Sequence, residues 1–168
     1  MSPSPTRPYT RVLQGAAGAL ALSLITSLVY AQAGGPFGGM GGSWSGGGTI
    51  TVLNGTSERI RCRNIYKVEN SGRSLIQDLR CASDSYKFEV RSNVNADGGA
   101  VFGTWTETTR NASGNVSGRI SGGNIQATVI GPGFTAALAV STHGSSQTVS
   151  IRPVGTDVTA VSISLSRR

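Results

Sequence analysis

Apolar and polar residues alternate along most of this chain, from residue 49 to the C terminus. A period of two is typical of β-strands with one buried face and one solvated face. Gly, Asn, Asp and Ser turns interrupt the pattern about every ten residues, and no stretch has helical periodicity. The pattern predicts an all-β domain, an antiparallel up-and-down meander of eight to ten strands that closes, or nearly closes, into a barrel. A β-sandwich is the alternative.

The first clear hairpin predicts a disulfide, because opposed residue numbers in a hairpin add up to a constant set by the turn. A turn at residues 70–73 gives a sum of 143, which places Cys62 opposite Cys81, within disulfide range. A turn at residues 84–85 gives 169 for the next hairpin. The chain has no other cysteine, and one pair does not supply a tetrahedral metal site, so we expect no metal.

Two further turns set the surroundings of a glutamate. A turn at residues 97–98 gives a sum of 195, and one at residues 112–113 gives 225. Glu107 is then predicted to lie opposite Phe88 on one side and opposite Gly118 on the other.

Residues 1–33 follow the three-part plan of a secretory signal peptide. Two arginines supply the positive part, an apolar run covers residues 12–29, and Ala31-Gln32-Ala33 is a small-x-small cleavage site. We expect cleavage after Ala33, with Ala31 as the alternative, and a periplasmic or secreted product that is not an integral membrane protein. An uncleaved membrane anchor is the other interpretation, since the apolar run is about long enough to span a bilayer.

The segment that follows, residues 34–48, holds nine glycines among fifteen positions and no charge. This composition predicts a flexible lead-in, which leaves residues 49–168 as a single barrel domain.

A stripe of basic residues marks one predicted strand. Arg59, Arg61 and Arg63 share one face at a period of two, with Lys67 beyond them. The chain carries a net charge of +7, which becomes +5 without the two arginines of the signal peptide. The stripe predicts contact with an anionic envelope surface, and a merely solvated face is the alternative. Nucleic acid is disfavoured, because no outward aromatic residues alternate with the basic ones to stack bases.

Glu107 shares its parity with Trp105 and is therefore predicted to face the barrel interior. Beside small side chains it would line a ligand pocket, where burial raises the pKa of a carboxyl group. The predicted walls of this pocket are aromatic: Trp105, Phe88, Tyr66 and Phe134. A position at the barrel rim, where water or a nearby side chain satisfies the carboxylate, is the alternative.

Two tryptophan motifs carry resemblances to known families. Gly42-Ser43-Trp44 resembles the Gly-x-Trp that opens the first strand in the calycin superfamily, which includes lipocalins and avidins. This resemblance implies an up-and-down barrel in which Arg167 packs over that tryptophan. The run from Leu79 to Phe88, together with Cys62 and with Gly103-Thr104-Trp105-Thr106-Glu107, resembles uncharacterised small exported β-barrel proteins of alphaproteobacteria. That family implies no activity.

Catalytic motifs are missing from the sequence. His143 is the only histidine and lies in a Gly/Ser turn, and there is no Gly-x-Ser-x-Gly elbow or phosphate-binding glycine motif. We therefore expect no enzyme activity and no cofactor. The leading hypothesis is a non-catalytic barrel that binds a small, mostly apolar molecule in its interior. The alternative is an envelope-associated or protein-interaction domain that uses the basic stripe and takes no small ligand.

Overall fold

The structure is a computed structural model that describes residues 34–168. The predicted signal peptide and its cleavage site lie outside the described residues. Within residues 34–168, no helix is long and apolar enough to cross a bilayer.

Ten antiparallel strands form a closed barrel in which each strand pairs with the next along the chain and the first pairs with the last. This arrangement confirms the predicted all-β meander and its closure, which leaves no strand with a free edge. The strands are β1 (Gly42–Val52), β2 (Ser57–Glu69), β3 (Ser74–Ala82), β4 (Lys87–Asp97), β5 (Ala100–Glu107), β6 (Ala112–Ser121), β7 (Asn124–Gly131), β8 (Phe134–His143), β9 (Ser146–Val154) and β10 (Val158–Arg167).

One end of the barrel is closed by residues 34–41, and we call it the covered end. Phe37 and Met40 are 0% and 2% exposed and belong to the hydrophobic core. The amides of Gly35 and Phe37 donate to carbonyl oxygens in the β2–β3 turn. The segment 34–48 is therefore part of the barrel rather than a flexible lead-in, and the domain begins before residue 49. Its glycines let the backbone turn tightly enough to bury the two apolar side chains.

Glycine in β1 permits the barrel to close. A Cβ atom at Gly46 or Gly48 would collide with the backbone carbonyl oxygen of Ser164 or Ser162 on the neighbouring β10. Strand glycines of this kind mark close backbone approach and bending of a sheet. The glycine-rich composition of this stretch therefore reflects strand closure.

The predicted register is confirmed for the β2–β3 and β3–β4 hairpins, where Cys62 opposes Cys81 and Leu79 opposes Val90. The disulfide joins Cys62 and Cys81, with their Cα atoms 4.1 Å apart. The predicted register of the next two hairpins is wrong. The β4–β5 turn is centred on Gly98 and Gly99, and the β5–β6 turn lies at residues 108–111.

Both errors shift the pairing by an even number of residues. Gly98 and Gly99 have φ values of 53° and 82°. A two-residue turn of type I′ needs a positive φ at both central positions, which favours these two glycines over Asp97. Because side chains alternate with a period of two, an even shift changes the partners of a residue but not the face on which it lies.

Candidate functional site

The structure places Glu107 at the last position of β5, where its carboxylate holds the β5–β6 turn. The residue is buried, with 6% exposure. Oε1 accepts hydrogen bonds from the Glu89 amide at 2.9 Å, the Thr109 amide at 3.2 Å and the Thr109 hydroxyl at 2.6 Å. Oε2 accepts one from the Arg110 amide at 2.7 Å, and the Arg110 guanidinium lies 3.9 Å away. Both carboxylate oxygens are thus already paired within the protein.

The surroundings of Glu107 differ from those predicted. Burial raises its pKa, but hydrogen bonds from Glu89, Thr109 and Arg110 together outweigh burial, so the pKa lies below its ordinary value. The predicted rise in pKa is wrong. Its cross-strand neighbours are Val90 and Ala112, where the sequence predicted residues 88 and 118.

Trp105 is a packed core residue. Its ring meets that of Phe134, with the centroids 5.6 Å apart, and its indole N–H donates to the Ile130 carbonyl oxygen at 3.1 Å. A Cβ atom at Gly114 or Gly131 would lie within 3 Å of the indole ring. These two glycines make room for the tryptophan against the wall of the barrel.

Tyr66 belongs to a buried polar network near the covered end. Its hydroxyl donates to Gln147 Oε1 at 3.1 Å, and Gln147 Nε2 donates to the Thr142 hydroxyl at 2.9 Å. Burial raises the pKa of Tyr66 to about 12, although side-chain hydrogen bonds with Asn64 and Gln147 lower it. Asn64 and Gln147 are each 1% exposed, and the Asn64 Oδ1 atom is the one buried side-chain oxygen in the described part of the chain without a hydrogen-bond partner. In the sequence, Asn64 and Gln147 share their parity with the inward residues of β2 and β9, and this was the signal that could have predicted the network.

Phe88 lies half-buried at the opposite end of the barrel, which we call the loop end. It stacks on Tyr86 with the ring centroids 6.2 Å apart, and the Arg110 guanidinium lies 5.0 Å from its centroid. Arg110 therefore links Phe88 to Glu107. Contacts sort the five predicted pocket residues into three groups: Phe88 with Glu107, Trp105 with Phe134, and Tyr66 with its own polar network.

His143 lies exposed at the end of β8, beside the β8–β9 turn, with Nε2 3.1 Å from the Ser141 hydroxyl. The same Ser141 hydroxyl donates to Asn124 Oδ1 at 2.7 Å. Among residues 34–168, no three His, Cys, Asp or Glu side chains cluster so as to hold a metal ion.

A broad groove of about 840 Å³ lies on the outer face of the barrel. It follows a row of directly opposed residues across five neighbouring strands, β10, β1, β2, β3 and β4. That row is Ser166, Ser45, Arg63, Arg80 and Glu89.

Positive charge dominates this groove, which we call the basic groove. Its charged lining residues are Arg61, Arg63, Arg80, Lys87, Glu89, Arg167 and Arg168. Two of the cations have acidic partners: Arg80 lies 3.4 Å from Asp78, and Lys87 lies 2.8 Å from Glu89. The hydrogen bond and charge of Lys87 hold the pKa of Glu89 below its ordinary value.

Three of the four predicted stripe residues lack acidic partners. Arg59, Arg61 and Arg63 point outward from β2, and no acidic side chain of the described chain lies within 4.0 Å of any of them. Lys67 differs, because it forms an ion pair with Glu69 at 2.6 Å. Sequence reasoning missed Arg80, although the register sum of 143 already places it opposite Arg63.

The disulfide lies next to the centre of the basic groove. Arg63 and Arg80 directly oppose each other, one residue from the Cys62–Cys81 pair on each strand. Like charges that face each other across a sheet destabilise the pairing. The covalent link holds the two strands together where the arginines repel each other.

Arg167 makes the contact that the calycin resemblance implies. Its guanidinium lies 4.6 Å from the centroid of the Trp44 ring. It also donates to the carbonyl oxygens of Gly39 and Gly41, and the Trp44 indole N–H donates to the Met40 carbonyl oxygen at 2.8 Å. Arg167 thereby holds residues 34–41, which we call the covering segment, against the barrel.

Comparison with known proteins supports the fold alone. No protein-family model matches the chain, and a search of curated proteins finds no match either. The crystal structure of Rv2717c from M. tuberculosis is similar, with a TM-score of 0.56 and 13% sequence identity. The match covers 82% of this chain and 96% of that chain. At this identity a shared fold does not carry a function from one protein to the other.

Proposed function

We propose that this protein is a non-catalytic barrel, exported to the periplasm or secreted, that binds an anionic partner in the basic groove. The observation that carries the proposal is that Arg61 and Arg63, which line the groove, have no acidic partner in the described chain, and that Arg63 directly opposes a third arginine, Arg80.

The charge pattern separates this groove from an ordinary solvated surface. Where charges only maintain solubility, both signs are interspersed. Elsewhere on the barrel Lys67 pairs with Glu69, and Arg91 lies 3.5 Å from Asp78. The basic groove also contains paired cations, Arg80 with Asp78 and Lys87 with Glu89. It differs because Arg61 and Arg63 have no acidic partner in the described chain and because Arg63 faces a second guanidinium group across the strands. A guanidinium is a planar donor that binds phosphate or carboxylate through two parallel hydrogen bonds, so an oxyanion between Arg63 and Arg80 would relieve their repulsion.

Inorganic polyphosphate is a suitable probe of this function. The mature protein is titrated with it at several salt concentrations, and the test variant carries Arg61→Ser and Arg63→Ser. The matched control carries Arg73→Ser and Arg119→Ser, which removes the same charge from exposed positions outside the groove. We expect the groove variant to bind about tenfold or more weakly, with a salt dependence reduced by about one unit for each lost phosphate contact.

Equal weakening in both double variants would mean that net charge alone attracts the polyanion, and the proposal would then fail. Absence of binding by the unmodified protein at low salt would also overturn it. Circular dichroism of each variant checks that the barrel remains folded.

The second candidate function is binding of a small apolar molecule inside the barrel. It is supported by a change in the burial of inward side chains from one end of the barrel to the other. Along β4, β7 and β9 the inward positions pass from buried near the covered end to partly buried near the loop end. Phe88 and Phe134 lie at that less buried end. Glu107 is not available as the polar contact, since the β5–β6 turn occupies both of its oxygens.

A neutral fluorescent dye such as Nile red tests this second candidate without interference from the basic surface. We expect its emission to rise and saturate at one dye per barrel. Val129→Phe, which fills the interior, should abolish the signal, and Thr128→Phe, on the outer face of the same strand, should preserve it. Equal dye binding by both variants would exclude the interior site.

A further inference from the structure

We infer that the anionic partner is the surface of an anionic phospholipid bilayer; this inference rests on the function proposed for the basic groove and narrows it. The additional observation is a pair of exposed isoleucines beside the groove. Ile65 is 57% exposed and Ile76 is 36% exposed.

The two isoleucines lie together on the outer face of β2 and β3. Ile65 follows Arg63 at the next outward position of β2, and Ile76 opposes Lys67 across the strands. This register makes the isoleucines diagonal neighbours, within reach of each other's side chains. Basic residues therefore flank the apolar pair on both sides along β2.

Two acidic residues lie near the apolar pair, and basic side chains offset their charge. Glu69 forms an ion pair at 2.6 Å with Lys67, the residue opposite Ile76. Asp78 opposes Ile65 across β2 and β3. Its carboxylate lies 3.4 Å from Arg80 and 3.5 Å from Arg91. The local charge beside the isoleucines therefore remains positive, as an anionic surface requires.

A hydrophilic polyanion and a bilayer would use this surface differently. A polyanion contacts only the arginines and leaves both isoleucines in water. A bilayer interface presents lipid phosphates to the basic residues and, a few ångströms deeper, apolar surface to the isoleucines. The combination of Arg61, Arg63 and Arg80 with Ile65 and Ile76 therefore fits a lipid surface better than a soluble polymer.

The test compares two ligands, inorganic polyphosphate and vesicles made of phosphatidylglycerol and phosphatidylcholine in equal parts. The isoleucine variant carries Ile65→Ser and Ile76→Ser. Its matched control carries Phe102→Ser and Ile130→Ser, two outward apolar side chains on β5 and β7 that are 50% and 47% exposed. We expect the isoleucine variant to lose about five- to tenfold in vesicle affinity and nothing in polyphosphate affinity.

The outcomes separate a failure of the bilayer inference from a failure of the proposed function. If the isoleucine variant binds vesicles as the unmodified protein does, or loses no more than its control, the bilayer is the wrong partner. Binding of polyphosphate but not vesicles by the unmodified protein would also exclude the bilayer, and it would leave the proposed function intact. If neither ligand binds, the proposed function and this inference fail together.

Discussion

Replacement of Glu107 by glutamine tests whether the β5–β6 turn depends on a carboxylate. Oε1 accepts three hydrogen bonds, and glutamine retains a carbonyl oxygen for them. Oε2 accepts from the Arg110 amide at 2.7 Å, and glutamine places an NH₂ group there instead. Two donors then face each other in a site that is mostly shielded from water. An unsatisfied donor of this kind costs about 1–3 kcal/mol, which is the expected loss in the free energy of unfolding at neutral pH.

The pH dependence of this loss has a defined sign. The folded-state pKa of Glu107 lies below its ordinary value of 4.5. Stability contributed by the carboxylate is therefore fully present above the unfolded-state pKa and is lost as the pH falls through the folded-state pKa. The difference between the unmodified protein and Glu107→Gln should accordingly narrow on acidification below about pH 4.

Urea unfolding measures this effect, with the buried residues Trp44 and Trp105 as fluorescent reporters. Glu69→Gln is the control, because Glu69 forms an exposed ion pair with Lys67, and such pairs contribute at most about 1 kcal/mol. A Glu107→Gln variant as stable as the unmodified protein at neutral pH would refute the assigned role. A difference that stays constant down to the lowest pH would refute the proposed cause.

Three further substitutions probe features of the fold by the same urea assay. Replacement of both Cys62 and Cys81 by serine opens a link between residues 19 apart and should cost ~3 kcal/mol; an unchanged midpoint would contradict this. Phe37→Ala should cost about 3–5 kcal/mol if the covering segment belongs to the core, whereas a loss below about 1 kcal/mol would indicate a loose segment. Gly48→Ala should cost ~1–3 kcal/mol through collision with β10, and Gly39→Ala, which has open space around its Cβ position, should be close to neutral.

The sequence alone determined the strand pattern, the disulfide and the identity of the basic stripe. Each of these rests on local signals, namely alternation with a period of two and turn residues that fix the sum of opposed positions. The Cys62–Cys81 pair followed from a single turn. The same reasoning misplaced the β4–β5 turn by one position, because Asp97, Gly98 and Gly99 offer two adjacent turn signals.

Only the tertiary structure decided what the side chains do, because their partners lie far apart in the chain. Composition predicted that residues 34–48 form a flexible lead-in. In the structure, residues 42–48 belong to β1, which pairs with β10, and residues 34–41 close one end of the barrel. Glu107 has the inward parity that was predicted, but burial raises its pKa less than hydrogen bonds from Glu89, Thr109 and Arg110 together lower it, and these donors converge only when the turn folds against β4. Arg168 reaches the basic groove because β10 lies beside β1, where its Nε donates to the Ser45 hydroxyl at 2.6 Å. Alternation specifies the face on which a side chain lies, and barrel closure specifies its neighbours.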